Sequence, residues 1–147
     1  GYTYGIGSTF QGGVRPGPFR IASGVRSNVT LESLEAILEL MRSHGERFSD
    51  EDLEATRNFY LRNNAMAFET LGAKLGLLTE MSSLGVPADI TIQRTRAAEQ
   101  LTVADIRGLA ERYLDPERMV WVVVGDATSQ EGRLEALEFG EVTRLER

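Results

Sequence analysis

The chain's 147 residues, 41% of them hydrophobic and 26% charged, suit one domain with a buried core and exclude a low-complexity or disordered chain. A net charge of −6, with the 16 lysines and arginines dispersed rather than clustered, argues against a nucleic-acid partner. The lack of cysteine excludes a disulfide framework and cysteine-ligated zinc, and no apolar run reaches the ~20 residues that cross a bilayer.

Tyr2–Phe10 alternates and reads as a strand, with Tyr2, Tyr4, Ile6 and Phe10 on one face and Thr3, Gly5, Gly7 and Thr9 on the other. It opens the chain with no cap and no polar run-in, the pattern expected of a piece of a larger polypeptide. Gln11–Gly17 is rich in glycine and predicts a turn, and Pro18–Val25 alternates again, so the two runs predict an antiparallel hairpin. Gly5, Gly7, Gly12 and Gly13 are read as bulges and a turn, because a phosphate cradle needs a helix directly after the loop.

The period then becomes helical. Leu31, Leu34, Ile37, Leu38 and Met41 form an apolar stripe, with Thr30 as the expected N-cap and Gly45 as the expected end. Ser49-Asp50-Glu51-Asp52 predicts the next helix start, whose stripe runs through Leu53, Thr56, Tyr60 and Ala67, with a kink or stop expected at Asn63-Asn64. Leu71, Leu75, Leu78 and Met81 form a further stripe, closed by Gly85 and Pro87. Ile90–Gln100 predicts a shorter helix capped by Asp89. Thr102-Val103-Ala104-Asp105 has the form of a capping box opening a helix with Ile106, Leu109, Ala110 and Tyr113. Asp115-Pro116 ends it. Met119–Val124, a continuous apolar run, predicts a strand buried on both faces; Gln130–Leu137 predicts a short helix, and Glu141–Leu145 a polar edge strand. This order describes a single domain of class α+β, with a mainly antiparallel or mixed sheet and helices packed on one face.

Little in the chain carries chemistry by itself. His44 is the only histidine, so a zinc site would need mostly carboxylates, and no nucleophile elbow is present. Asp126, at the tip of the Val122–Val124 run, reads as a turn residue, and the carboxylates of Asp50, Glu51 and Glu54 as a solvated helix surface. Gly72 and Gly76 read as a site of close helix packing. Tyr2 and Tyr4 remain: a phenol on a strand facing a cavity can donate to the carbonyl of an extended peptide.

Taken together, Gly1-Tyr2-Thr3-Tyr4-Gly5, Gly17-Pro18-Phe19, the Leu31–Met41 helix, Phe48-Ser49-Asp50-Glu51-Asp52-Leu53, Leu101-Thr102-Val103-Ala104-Asp105-Ile106, Tyr113-Leu114-Asp115-Pro116-Glu117 and the Val122–Asp126 segment resemble one family. This is the C-terminal homologous domain of pitrilysin/insulinase-type zinc metallopeptidases, in the bacterial zinc-protease branch. The resemblance covers nearly the whole chain and rests on the order of motifs that are individually weak. It implies that two related halves close around a peptide chamber, and that residues 1–147 are the later two-thirds of the second, non-zinc half. Zinc belongs to the N-terminal half through a His-x-x-Glu-His motif absent here, so the resemblance assigns this chain no catalytic residue, no metal ligand and no bound cofactor. It makes Tyr4 a substrate-binding residue, from a segment of the form Leu-Arg-Glu-x-x-Gly-x-x-Tyr whose arginine falls ahead of Gly1. Tyr2 departs from the family, which carries an apolar residue there. The implied partners are a peptide substrate and the zinc-binding half or a partner subunit. The missing upstream strands also imply self-association, because Met119–Val124 loses its neighbours. The alternative function is a catalytically inactive scaffold or processing subunit of the same family. The implied location is the bacterial periplasm or cell envelope.

Overall fold

A computed structural model describes residues 1–66, 68–138 and 140–145, and Ala67 of the second helical stripe lies outside the described residues. The fold is α+β: an antiparallel hairpin of β1 (Thr3–Phe10) and β2 (Phe19–Val25) is followed by six helices, α1 (Thr30–Arg47), α2 (Asp50–Met66), α3 (Leu71–Leu84), α4 (Ile90–Gln100), α5 (Val103–Tyr113) and α6 (Ala127–Leu134).

The hairpin follows from its sequence. Phe10 pairs with Phe19, Ser8 with Ile21 and Ile6 with Ser23, so the apolar residues of both strands share one face. That face looks onto Ile37, Leu40 and Met41 of α1. The Phe10 ring stacks at 4.6 Å on Phe19 and meets Tyr113 of α5 edge-on at 6.2 Å. At the neck, a Cβ on Gly17 would lie 2.1 Å from the Gln11 carbonyl oxygen, so the loop closes only around a glycine.

Helix α1 departs from its expected limits at both ends. Thr30 lies inside the helix rather than capping it; its hydroxyl donates back to the Ser27 carbonyl at 3.1 Å, from a 3-10 turn over Ser27–Val29. Gly45 does not end the helix either. A Cβ there would meet the Ala110 Cβ at 3.4 Å, so this glycine brings α5 close to α1, and the helix runs on to Arg47. The exposed carbonyls at that end are taken by Arg107 of α5, which donates to Phe48 at 3.2 Å.

Helix α2 starts on a full box, with the Ser49 hydroxyl accepting from the Asp52 N–H and Asp52 accepting from the Ser49 N–H at 2.9 Å. It runs through Asn63-Asn64 to end at Met66, and the Asn64 amide donates to the Thr95 hydroxyl of α4 as a tie between the two helices. Arg57 of α2 caps the end of α4, donating to the carbonyls of Ala98 and Leu101 at 3.2 and 2.8 Å. Asp89 precedes α4 without a side-chain cap to its backbone and instead accepts from Gln93. The Thr102/Asp105 box opens α5 as expected.

The core is thin: among the described residues the buried apolar side chains are Leu38 and Met41 of α1, Leu53 of α2 and Ala110 of α5, with α1 packed chiefly on α5 and α2 on α4. Helix α3 forms where its stripe predicts, with Thr70 as N-cap and Gly85 at φ 66° as its left-handed end, but Leu71, Leu75 and Leu78 face solvent. The Arg94–Glu80 ion pair ties it to α4. Gly72 and Gly76, expected to admit a close helix neighbour, look into nearly open space.

Two expected strands do not form. Met119–Val124 makes no ladder among the described residues, and neither does Glu141–Leu145. A strand needs a partner edge, and the only sheet described ends at β1 and β2. Helix α6 begins earlier than expected, at Ala127, because Asp126 caps it through the Thr128 N–H at 3.1 Å, and a 3-10 turn over Glu135–Leu137 follows it. Gln130 and Arg133 fasten α6 to the start of α1: the Gln130 amide donates to the Ser27 carbonyl at 2.9 Å, and Arg133 Nη2 donates to both carboxylate oxygens of Glu32 at 2.9 and 3.1 Å.

Candidate functional site

The hairpin positions Tyr4. Thr3 pairs with Val25 and Ile6 with Ser23, so three steps on β1 match two on β2, and the extra residue forms a bulge at Tyr4-Gly5. Crossing a bulge reverses the alternation. Thr3 therefore shares the helix-facing side with Val25, and Tyr4 points to the opposite, outer face rather than sharing one with Ile6 and Phe10 as the plain alternation predicts. Its phenol is fully solvent-exposed. Tyr2 lies before the strand and is half-exposed; its carbonyl accepts from the Arg26 N–H at 3.4 Å.

Two hydroxyls hold the bulge. The Gly5 N–H donates to Thr3 Oγ1 at 3.0 Å, Thr3 Oγ1 donates to the Gly24 carbonyl at 2.8 Å, and Ser23 Oγ donates to the Gly5 carbonyl at 2.9 Å. The two hydroxyl oxygens are themselves 2.8 Å apart. Each hydroxyl carries one proton, and this assignment satisfies both polar groups of Gly5. Glycine inside a strand is the sequence signal for such a bulge. Thr3 and Ser23 carry no comparable signal, because their partnership is made across the turn.

Along the outer face, Tyr4 shares its side with Gly7, Ala22 and Gly24, and beyond them with Thr9 and Arg20. Gly7 pairs with Ala22 and Thr9 with Arg20, and a Cβ at Gly7 or at Gly24 would meet nothing within 4 Å. Another backbone can approach the two glycines closely while the phenol reaches over it.

The edge of β1 is open as well. The Gln11 N–H donates to the Pro18 carbonyl at 3.0 Å, which sets the phase of the ladder. Thr9/Arg20 and Gly7/Ala22 are then the hydrogen-bonded pairs, and Ile6, Ser8 and Phe10 turn their N–H and C=O groups away from β2.

His44 sits in the last turn of α1 with its ring 5.8 Å from that of Phe48, and it walls two cavities of about 340 and 420 Å³. No group of three potential metal ligands gathers around it or elsewhere among the described residues. A third cavity, of about 610 Å³, is lined by Glu35, Glu39, Glu46, Glu117 and Glu138 around Arg42, and the Arg42–Glu117 pair at 3.5 Å is exposed to solvent. Glu54 pairs with Arg57, and Asp126 accepts from the Thr128 N–H as the cap of α6.

The perturbed carboxyls are structural. The Ser49 hydroxyl, then the Ser49 N–H, hold Asp52 below the ordinary carboxylate value; the Thr102 hydroxyl and N–H do the same for Asp105; and the Arg94 guanidinium does so for Glu80. Among the described residues no helix is long and apolar enough to cross a membrane. Comparison with protein-family models, with curated proteins and with solved structures finds no match to this chain.

Proposed function

We propose that this chain is the non-catalytic, substrate-binding portion of a zinc-dependent metalloendopeptidase, and that Tyr4 is its substrate-binding residue. The supporting observation is the Tyr4-Gly5 bulge, which turns an exposed phenol onto the outer face of the hairpin that it shares with Gly7, Ala22 and Gly24. The ordered set of motifs shared with the peptidase family points the same way.

The chain's own part is to hold and orient. An extended peptide lying over the outer face brings its backbone close to Gly7 and Gly24, where no side chain stands in the way. The Tyr4 phenol donates a hydrogen bond to a peptide carbonyl, fixing its direction and drawing electron density toward oxygen. The bulge sets the direction in which the Tyr4 side chain leaves the backbone, because Thr3 and Ser23 pin both polar groups of Gly5. Hydrolysis itself is the chemistry of zinc held by an accompanying half. The partners in this reading are a peptide, that zinc-carrying half or subunit, and a second copy of the chain; the setting is the bacterial periplasm or cell envelope.

The test is peptide hydrolysis by the assembled enzyme. Tyr4→Phe keeps the ring and removes the donor, so kcat/KM falls by about tenfold or more, while the melting temperature is unchanged. Zinc-dependent peptidase activity in the pure 147-residue chain would contradict the reading.

A further inference from the structure

On the side of β1 away from β2 the sheet stops, but the helices beneath continue. The cavity of about 420 Å³ there takes Phe10 from β1, Ile106, Leu109 and Tyr113 from α5, and no residue of β2. The neighbouring cavity of about 340 Å³ extends it under the hairpin toward α1. Along this edge of β1 run the outward N–H and C=O groups of Ile6, Ser8 and Phe10, with the Phe10 side chain lining the cavity. The lane calls for one more strand: extended, uncharged, without proline, and apolar toward the helices.

The same chain contains such a segment with no ladder of its own. Met119–Val124 is six residues without charge, glycine or proline. Val120, Val122 and Val124 are 87, 73 and 91% exposed. In an extended chain these three share one edge and one face. Within its own copy the run pairs with neither β1 nor β2 among the described residues, and its ends are held along α1. Glu117 pairs with Arg42 at one end, and Gln130 and Arg133 contact Ser27 and Glu32 at the other. Its open complement is the β1 edge of a second copy.

We propose that two copies associate by laying the Val120–Val124 run of each along the open β1 edge of the other, over the α5 groove. The exchange is reciprocal, so it closes, and it gives each copy two contacts where one strand alone would make a small interface. It uses the edge of β1 and leaves the outer face with Tyr4 uncovered. This inference rests on self-association and not on the peptidase reading, so the two fail separately: Tyr4→Phe does not touch association, and the changes below do not touch Tyr4.

The experiment is sedimentation equilibrium of the full chain over a range of concentrations, with two variants. Ser8→Pro removes an outward N–H from the edge of β1, and Val122→Lys puts a charge into the run. Wild type shifts from monomer toward dimer with concentration, and each variant weakens the dimer by about tenfold or more. An equimolar mixture of the two variants associates more tightly than either alone, because the intact run of Ser8→Pro meets the intact edge of Val122→Lys. As a check independent of variant folding, a synthetic peptide of residues 117–126 added to wild type shifts the amide resonances of Ile6, Ser8 and Phe10. A monomer at every concentration, a dimer indifferent to Ser8→Pro, a mixture no tighter than its components, or a peptide that leaves those amides unmoved would overturn the proposal.

Discussion

Tyr4 is placed by a single extra residue. Simple alternation puts it with Ile6 and Phe10; the bulge puts it on the other face. The residue type was legible in the sequence, but its direction was not, because the bulge depends on Thr3 and Ser23 meeting across the turn. Gly17 is a second position where one atom decides. Gly17→Ala sets a methyl group 2.1 Å from the Gln11 carbonyl oxygen, so the neck must open, at a cost of about 1–3 kcal/mol in a urea melt. The capping carboxyls give the pH dependence at this scale. Asp52 and Asp105 titrate below their ordinary value of 3.8, so their contribution is fully present above it and is lost as pH falls through the lowered folded value. The melting temperature therefore drops on acidification below pH 3.8, and Asp105→Asn flattens part of that drop.

Among the elements, those held by local signals were legible. The hairpin, the Ser49 and Thr102 helix starts and the Gly85 stop each depend on a few adjacent residues. Elements that depend on distant partners were not. Gly45 reads as a stop because glycine is a poor helix former, yet it lies within α1 against Ala110 of α5. Asn64 reads as a break and instead joins α2 to α4. Met119–Val124 has the composition of a strand without the neighbours that would make it one. The stripe of α3 has the right period, but among the described residues nothing covers its Leu71, Leu75 and Leu78. Gly45→Val tests the first of these: a branched side chain at the α1/α5 contact pushes the helices apart and costs about 1–3 kcal/mol.

At the scale of the whole molecule, a thin core supports a large exposed apolar surface. Leu38→Ala removes one of the few buried side chains, and its cost of about 2–5 kcal/mol is a large share of the roughly 5–15 kcal/mol that holds a domain together. Partial unfolding in dilute urea, read by circular dichroism, is the expected outcome. Each copy carries a charge of −6, so two copies repel, and self-association tightens as salt screens that repulsion. We propose that this chain holds peptide for zinc chemistry supplied by an accompanying half. The most direct measurement is the metal content and peptidase activity of the native protein, isolated with any polypeptide joined or bound to this chain. The expected result is stoichiometric zinc and hydrolysis abolished by a chelator, with kcat/KM reduced by Tyr4→Phe. A native protein free of zinc and inactive on peptides, or hydrolysis untouched by Tyr4→Phe, would contradict it.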